Sequence, residues 1–546
     1  MENTLRRILM AILLPVLSTC SVAAFAAPAM VKDINPGSGD SSPVVFYALG
    51  SNLVFFANDG ATGCEPWVSD GTDLGTFMLR DVWAGPSSGF NPGCPTCNAV
   101  SNGTVVYFSA SDGTGPSQLW RTDGTSVGTT KVYADAPASG LGIVGSKLFF
   151  IGNSTLYSSD GTPGGTAQVP NGHLASDQEL FDVGGVAYYA GDDGFSGTEL
   201  WRSDGTDLGT VRVKDINPGS SNSNPTNLTN VGGMLYFTAT NGTGGALYET
   251  DGTSGGTVLL RQGSLLGSGG RKQLPNMNGI VYFVGNEATH GSELWRSDGT
   301  PAGTYMVKDI YPGAAGGVTV GSSALVVVGN NIFFSAADDD THGFELWKSD
   351  GTEAGTVMVK DIDPAAFSSS SPKELANING ELFFRAKGSP AAGDQPWTSD
   401  GTEAGTQQWA SIRPANFSGA RTFTLAGGSV FFAANDGTNG LELWAGEATT
   451  LDVAPGEPAG HLSLSQNQPN PMRSASAITY ALAAGQHVTL KLYDTQGREV
   501  RTLVNQFQGA GLHQAKVDAH GLANGVYFYR LNTGGGVRER KLVILK

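Results

Sequence analysis

Three observations predict an all-β chain, a closed β-propeller of about nine four-stranded blades followed by a small immunoglobulin-like β-sandwich. The first is composition: 78 of 546 residues are Gly, roughly double the usual share, without the Gly-X-Y period of a collagen rod. The second is a phrase, typified by Glu199 to Thr210, whose Asp-Gly-Thr begins at Asp70, Asp123, Asp160, Asp204, Asp251, Asp298, Asp350 and Asp400. The third is an adjacent aromatic pair that recurs nine times, from Phe55-Phe56 to Phe431-Phe432. Neighbours on a strand point to opposite faces, so two bulky aromatics in succession predict a strand covered on both sides.

The first 27 residues carry Arg6 and Arg7, the apolar run Ile8 to Leu17 and the small-residue ending Ala24-Phe25-Ala26. That order is the signature of a secretory signal peptide, so the mature chain is expected to be exported. Leu17-Ser18-Thr19-Cys20 is similar to a lipoprotein signal, with Thr before the Cys where a small Ala or Gly is usual. The apolar run is about half of what a membrane span needs, and no other stretch is apolar enough, so no transmembrane span is expected in the mature chain. The net charge of −17 excludes nucleic acid as a favoured partner.

Cys94 and Cys97 are the disulfide candidates: in an exported chain their two-residue spacing reads as a local loop bridge. Cys64 is the third thiol after processing, and spacing does not fix which of the three stays unpaired. A zinc site would need a second Cys pair that the sequence lacks.

Residues 28–445 hold the repeats. In the unit around Trp201, a strand near Asp182 and Val183 turns at Gly184-Gly185 into Val186 to Ala190. Asp192-Asp193-Gly194 turns into Thr198 to Ser203, and Asp204-Gly205 turns into a fourth strand running to Ile216. Four strands every 37 to 53 residues, judged by the Asp positions above, suit blades packed between neighbours. Val31-Lys32-Asp33-Ile34-Asn35-Pro36-Gly37 is a fourth-strand phrase with no unit before it, while the last unit stops after Trp444 without that phrase. Head therefore completes tail, which removes a sheet edge and makes sense in a ring; an open solenoid needs no such complement. Eight blades is the alternative count if the short unit at Tyr157 is degenerate.

The repeated phrase resembles the bacterial repeat family named for its Glu-Leu-Trp-x-x-Asp-Gly-Thr (ELWxxDGT) signature, over most of residues 30 to 445. That resemblance implies an exported repeat protein and attaches no general catalytic activity.

Residues 446–461 are rich in Gly, Ala, Pro and Thr and read as a linker. In residues 462–546, short strands are expected at 477–482, 488–493, 498–504, 514–518, 526–531 and 541–545, as in a β-sandwich. Gln468-Pro469-Asn470-Pro471, Leu492-Tyr493-Asp494, Leu522 to Phe528 and the closing Lys541 to Lys546 resemble the type A C-terminal sorting domain of the type IX secretion system. This implies passage of the outer membrane, contact with the secretion machinery and a cell-surface or secreted location. In the family the domain is often removed.

No residue is assigned a catalytic role: the seven His form no helical metal motif, and no nucleophile elbow or phosphate loop is present. The eight Asp-Gly-Thr aspartates read as turn formers, with Asp accepting backbone hydrogen bonds and Gly supplying positive φ. The turns between second and third strands vary in length and carry Asp59, Asp192, Asp193, Asp338, Asp339, Asp340 and Asp436. These are the candidate ligand residues, and oxygen donors at this density suit weak Ca²⁺ binding, with solvated hairpin tips as the plain alternative. The reading is a noncatalytic recognition protein for glycan or protein ligands, with adhesion as its role. Two alternatives stand beside it: a glycan-acting hydrolase or lyase, which needs two carboxylates about 5–10 Å apart, and a structural surface-layer component.

Overall fold

A computed structural model describes residues 27–91, 99–173, 180–266, 273–318, 325–338, 341–365, 367–389, 393–414, 416–447, 463–464, 467, 470, 472–482, 486–495, 498–508, 511–533 and 536–545. The signal expectation at 1–26, Cys94, Cys97, Asp339, Asp340 and nearly all of the expected linker lie outside these residues. Among the described residues every regular element is a β-strand. The chain divides into two units, within 26–448 and within 449–546.

In the larger unit, β2 (Val44–Leu49), β3 (Asn52–Asn58), β4 (Cys64–Ser69) and β5 (Phe77–Met78) form the first antiparallel sheet in chain order. Seven further sheets repeat that order, from Ala99–Ser101 to Gln407–Gln408, and the ninth is built from Arg421–Ala426, Ser429–Asn435 and Leu441–Glu447. Its fourth member is β1 (Ala29–Lys32), which pairs Met30 with Trp444 and Lys32 with Leu443. Sheet six departs from the pattern, since Ser264–Leu266 and Asn276–Met277 both pair with Ile280–Glu287. In the unit around Trp201 the fourth strand is Val211–Lys214, ending two residues short of the expected Ile216. Asp215 and Ile216 leave it because the Ile216 amide donates to the buried Glu199 carboxylate, 2.9 Å away.

The aromatic pairs explain why the sheets stack. Phe55 lies in a core shared with Phe431 of sheet nine, whereas Phe56 lies in a core shared with Phe108 of sheet two. Tyr188 and Tyr189 divide in the same way between sheets five and three. One such cluster joins each sheet to the next, and Val31, Ile34 and Phe46 help to join sheet nine to sheet one. Full burial of each ring contributes about 1.5–3 kcal/mol.

Each Ser-Asp-Gly-Thr turn is a closed set of local bonds. In sheet four, Asp204 Oδ1 accepts the Thr206 amide (2.8 Å) and hydroxyl (2.7 Å), and Thr206 Oγ1 accepts the Gly209 amide at 3.0 Å. Gly205 takes φ +91°, which a side chain resists. A Cβ on Gly209 would lie 2.0 Å from Asp204 Oδ1. Gly209→Ala is therefore expected to destabilise by about 1–3 kcal/mol, as overpacking does, measured by thermal unfolding. The control is Gly255→Ala, where a Cβ meets nothing within 4 Å and the same turn position already holds Ala302, Ala354 and Ala404 in other sheets.

The turns also tie sheet to sheet. Lys214 donates to Thr257 O (2.9 Å), Lys308 to Thr356 O (2.9 Å) and Lys360 to Thr406 O (2.8 Å), each on the following sheet. Arg80 and Lys32 do the same to Thr129 O and Asp73 O, both at 3.1 Å.

The smaller unit has two sheets. Ser463–Leu464, Ala475–Leu482 and Gly511–Asp518 form one; Glu499–Gln508, Gln486–Tyr493, Gly525–Thr533 and Gly536–Ile544 form the other, in that order. They share one core that includes Ile478, Leu490, Tyr529 and Leu542.

Candidate functional site

Because consecutive strands alternate in direction, the turns between strands two and three and the crossovers between sheets lie at one end of the strands. The Asp-Gly-Thr turns lie at the other. At the first end Asp59 Oδ1 accepts the amides of Ala61 (2.9 Å) and Thr62 (2.7 Å). Asp436 Oδ1 accepts those of Thr438 and Asn439, both at 2.8 Å. Asp193 Oδ1 binds the Phe195 and Ser196 amides, Asp192 the Gly194 amide, and Asp338 the His342 ring. Partial burial opposes the charge on Asp59 and Asp436, but these amides outweigh it and hold both carboxyls below their ordinary range. The five lie on sheets one, four, seven and nine, so the structure does not bring them together. Among the described residues no three His, Cys, Asp or Glu side chains gather in a group that could hold a metal ion.

The eight turn aspartates at the opposite end each bind the Thr two residues on, through both amide and hydroxyl. The hydroxyl is the largest influence holding Asp70, Asp204 and Asp350 below the usual carboxylate range. Cys64 is buried and free, and burial pushes its thiol up to about 12, so it is no nucleophile.

Aromatic residues share the first end with the variable turns. Phe195 sits at a turn tip, 84% exposed, and Phe367 (77%) and Phe417 (67%) occupy matching positions in two successive crossovers. Phe367 has φ +63°, a strained value for a bulky residue, and its amide is held by Thr341 O at 3.0 Å.

A second constellation was not singled out in the sequence. The Glu that opens the repeated phrase is fully buried as Glu65, Glu199, Glu293, Glu345 and Glu442. Each carboxylate accepts amides or a hydroxyl from the crossover leaving its own sheet: Glu293 binds Ile310, Tyr311 and Gly317, and Glu345 binds Ile362 and both polar groups of Ser370. Burial pushes Glu65, Glu293, Glu345 and Glu442 up to about 7, and raises Glu199. The partner acids are Asp81, Asp215, Asp309, Asp361 and Asp33, the Asp of each fourth-strand phrase. In all five the Oδ1 atom is inaccessible and has no hydrogen-bond partner. The readable signal was joint occurrence: Gln118 stands with Ala134 and Gln395 with Ser411, where the acid pair is missing from both positions.

Residues 468–545 match the family described as a secretion system C-terminal sorting domain. The chain thus carries a type IX sorting domain, which marks it as exported and directed to the cell surface through the secretion machinery. No curated protein matches the chain. Among solved structures, a puromycin hydrolase mutant complexed with PGG is 15% identical over 66% of this chain and 60% of its own, with a TM-score of 0.33. A Mycobacterium tuberculosis puromycin-hydrolysing peptidase is 12% identical over the same shares, at TM-score 0.33. Dihydro-heme d1 dehydrogenase NirN in complex with DHE is 10% identical over 89% of this chain and 76% of its own, at 0.35. The chain spans 60% of the length of the first two, and none of these similarities transfers an activity to it. Among the described residues no helix is long and apolar enough to cross a membrane.

Proposed function

We propose that residues 28–445 are a closed nine-bladed propeller of the ELWxxDGT-repeat kind, between a signal peptide at 1–27 and a linker at 446–461. The module at 462–546 is an immunoglobulin-like sandwich that delivers it. The pairing of β1 into sheet nine and the unbroken series of shared cores support this reading. The propeller is a noncatalytic recognition protein that binds glycan or protein at the cell surface through the face of variable turns and crossovers.

The observation that carries it is the set of exposed rings on that face, Phe195, Phe367 and Phe417, placed among Asx-turn tips. Apolar rings beside oxygen acceptors suit the alternating faces of a sugar, and an exposed ring on a strained backbone points to selection for contact, not for folding. The buried glutamates cannot take a hydrolase role, because none reaches solvent.

The test is a glycan array probed with the mature chain, residues 28–546. Saturable binding that falls at least about tenfold in Phe367→Ala/Phe417→Ala, the loss of roughly 1.4 kcal/mol, is the expected result. Silence of the folded wild-type chain overturns the glycan reading in favour of a protein ligand.

A further inference from the structure

We propose, resting on the recognition face just described, that its ligand is an acidic glycan whose carboxylate or sulfate groups are held by Lys373, Lys387, Arg413 and Arg421, where sheets eight and nine meet.

The cations are gathered by the fold. Asp394 opens the third strand of sheet eight, forms an ion pair with Arg385 at 3.1 Å and accepts the Gly419 amide at 3.3 Å. Lys387 lies directly opposite Asp394 on the neighbouring strand, and Lys373 lies directly opposite Arg385. Arg421 follows Gly419 by two residues and starts the first strand of sheet nine. That strand packs against Lys373–Ile378, with Phe423 and Ile378 in one core. Arg413 joins from the crossover between the two sheets. A Cβ on Gly437 would meet its Nε at 2.7 Å, which puts the guanidinium over the turn of sheet nine that carries Asp436.

These charges are uncommitted. Among the described residues Lys373, Lys387 and Arg421 make no hydrogen bond or ion pair, and Arg413 makes one long bond, 3.4 Å, to Asn435 Oδ1. Elsewhere in the larger unit only Lys147 and Arg202 share that state; the other described Lys and Arg side chains are tied to carbonyls or acids, as Lys214, Lys348 and Arg261 are. The nearby acids are already engaged. Asp363 accepts the Ser368 hydroxyl at 2.6 Å and Asp436 the Thr438 and Asn439 amides, while Glu374 makes no ion pair with Lys373 beside it. All four cations are half-buried, so the fold positions them, yet none of their nitrogens is sealed from solvent without a partner.

The repeat does not ask for them. By strand register, the place of Lys373 and Arg421 holds Val44 in sheet one and Thr226 in sheet five, and the place of Lys387 holds Asn58 in sheet one and Asn435 in sheet nine. Residues that break a repeat's pattern without a structural gain mark function. In a chain of net charge −17, which repels polyanions elsewhere, this group selects both the place and the sign of a ligand. Ammonium and guanidinium groups bind carboxylate and sulfate through charge-assisted hydrogen bonds. Phe417, 67% exposed, lies in the crossover with Arg413, and an apolar ring beside cations suits a charged sugar.

The test is calorimetric titration of residues 28–546 with oligogalacturonate, sulfated dextran, neutral dextran and poly-glutamate, at about 50 and about 500 mM NaCl. Lys387→Asn/Arg421→Thr installs residues that other sheets carry at the same places, which keeps the variant foldable. Lys147→Ala, at the opposite end of sheet three, makes a like change of charge as the control. The expected result is binding of an acidic glycan in preference to neutral dextran and poly-glutamate, weakened at least about tenfold by the high salt and by the double variant but not by the control. The stronger of the two acidic arms tells carboxylate from sulfate. Preference for neutral dextran, or acidic binding that the double variant leaves intact, overturns this assignment while the recognition reading stands. Poly-glutamate bound as tightly as the sugars overturns it in favour of an acidic protein. Silence of the folded wild type towards these probes overturns it too, and silence across the wider glycan array takes the glycan reading with it.

Discussion

Deleting residues 27–35 is expected to abolish cooperative folding of the larger unit or to leave it aggregated. The segment contains β1, whose removal exposes the edge of Leu441–Glu447 along its paired residues Leu443, Trp444 and Ala445. It takes Val31 and Ile34 out of the cluster between sheets nine and one, about 2 kcal/mol for each side chain. It also strips the buried Glu442 of the Ile34 amide at 3.0 Å and frees the crossover that brings Ser41 to the same carboxylate. Breaking a buried charged network on one side costs about 3–5 kcal/mol, so the total approaches the whole stability of an ordinary domain. Size-exclusion chromatography and thermal unfolding of the truncated chain decide it. A monomer melting within a few degrees of the full chain would mean that β1 is an ornament and that the array needs no closure.

That experiment rests on something readable in the sequence. The phrase Val31 to Gly37 has no unit before it and the Trp444 unit lacks that phrase, so complementary ends were visible without coordinates. The aromatic pairs were equally legible, because alternation on a strand sends Phe55 and Phe56 to opposite cores whatever the rest of the fold does. The end of the fourth strand was not. Val211 and Val213 alternate with Arg212 and Lys214 and the apolar Ile216 follows closely, and only the buried Glu199, distant in sequence, explains why the chain turns after Lys214. The Ser264–Leu266 strand was missed for a related reason, since its pairing with Ile280–Glu287 is a tertiary outcome. The candidate aspartates were legible as turn formers one at a time. Their spread over four sheets follows from the repeat spacing, but the distances between the turn tips do not, because they leave no trace in local spacing. The buried glutamates were hidden by their own repetition, which made each look like part of a strand signature.

Those glutamates give the second large effect, a stability that declines towards alkaline pH. Burial lifts Glu65, Glu293, Glu345 and Glu442 to about 7 from the ordinary glutamate value of 4.5. Between these values the folded chain holds more protons than the unfolded one, so each pH unit upward lowers the unfolding free energy. The contribution is fully present below about pH 4.5 and is gone above about 7, with a slope near 1.4 kcal/mol per unit for each group inside that window. The turn aspartates work in the other direction. Hydrogen bonds hold them below their ordinary range, so their share is present above about pH 3.8 and is lost as pH falls further. The melting temperature is therefore expected to peak near pH 4 and to fall by several degrees by pH 8. Glu345→Gln removes one titrating group, so its slope is shallower while its fold survives, as Gln395 does when its Oε1 accepts the Ile412 amide at 2.8 Å. Glu345→Ala leaves the Ile362 and Ser370 donors unpaired in a buried site and loses about 3–5 kcal/mol at every pH. A flat melting profile from pH 5 to 8, or an alanine variant as stable as the glutamine one, would show that the carboxylates do not hold the crossovers.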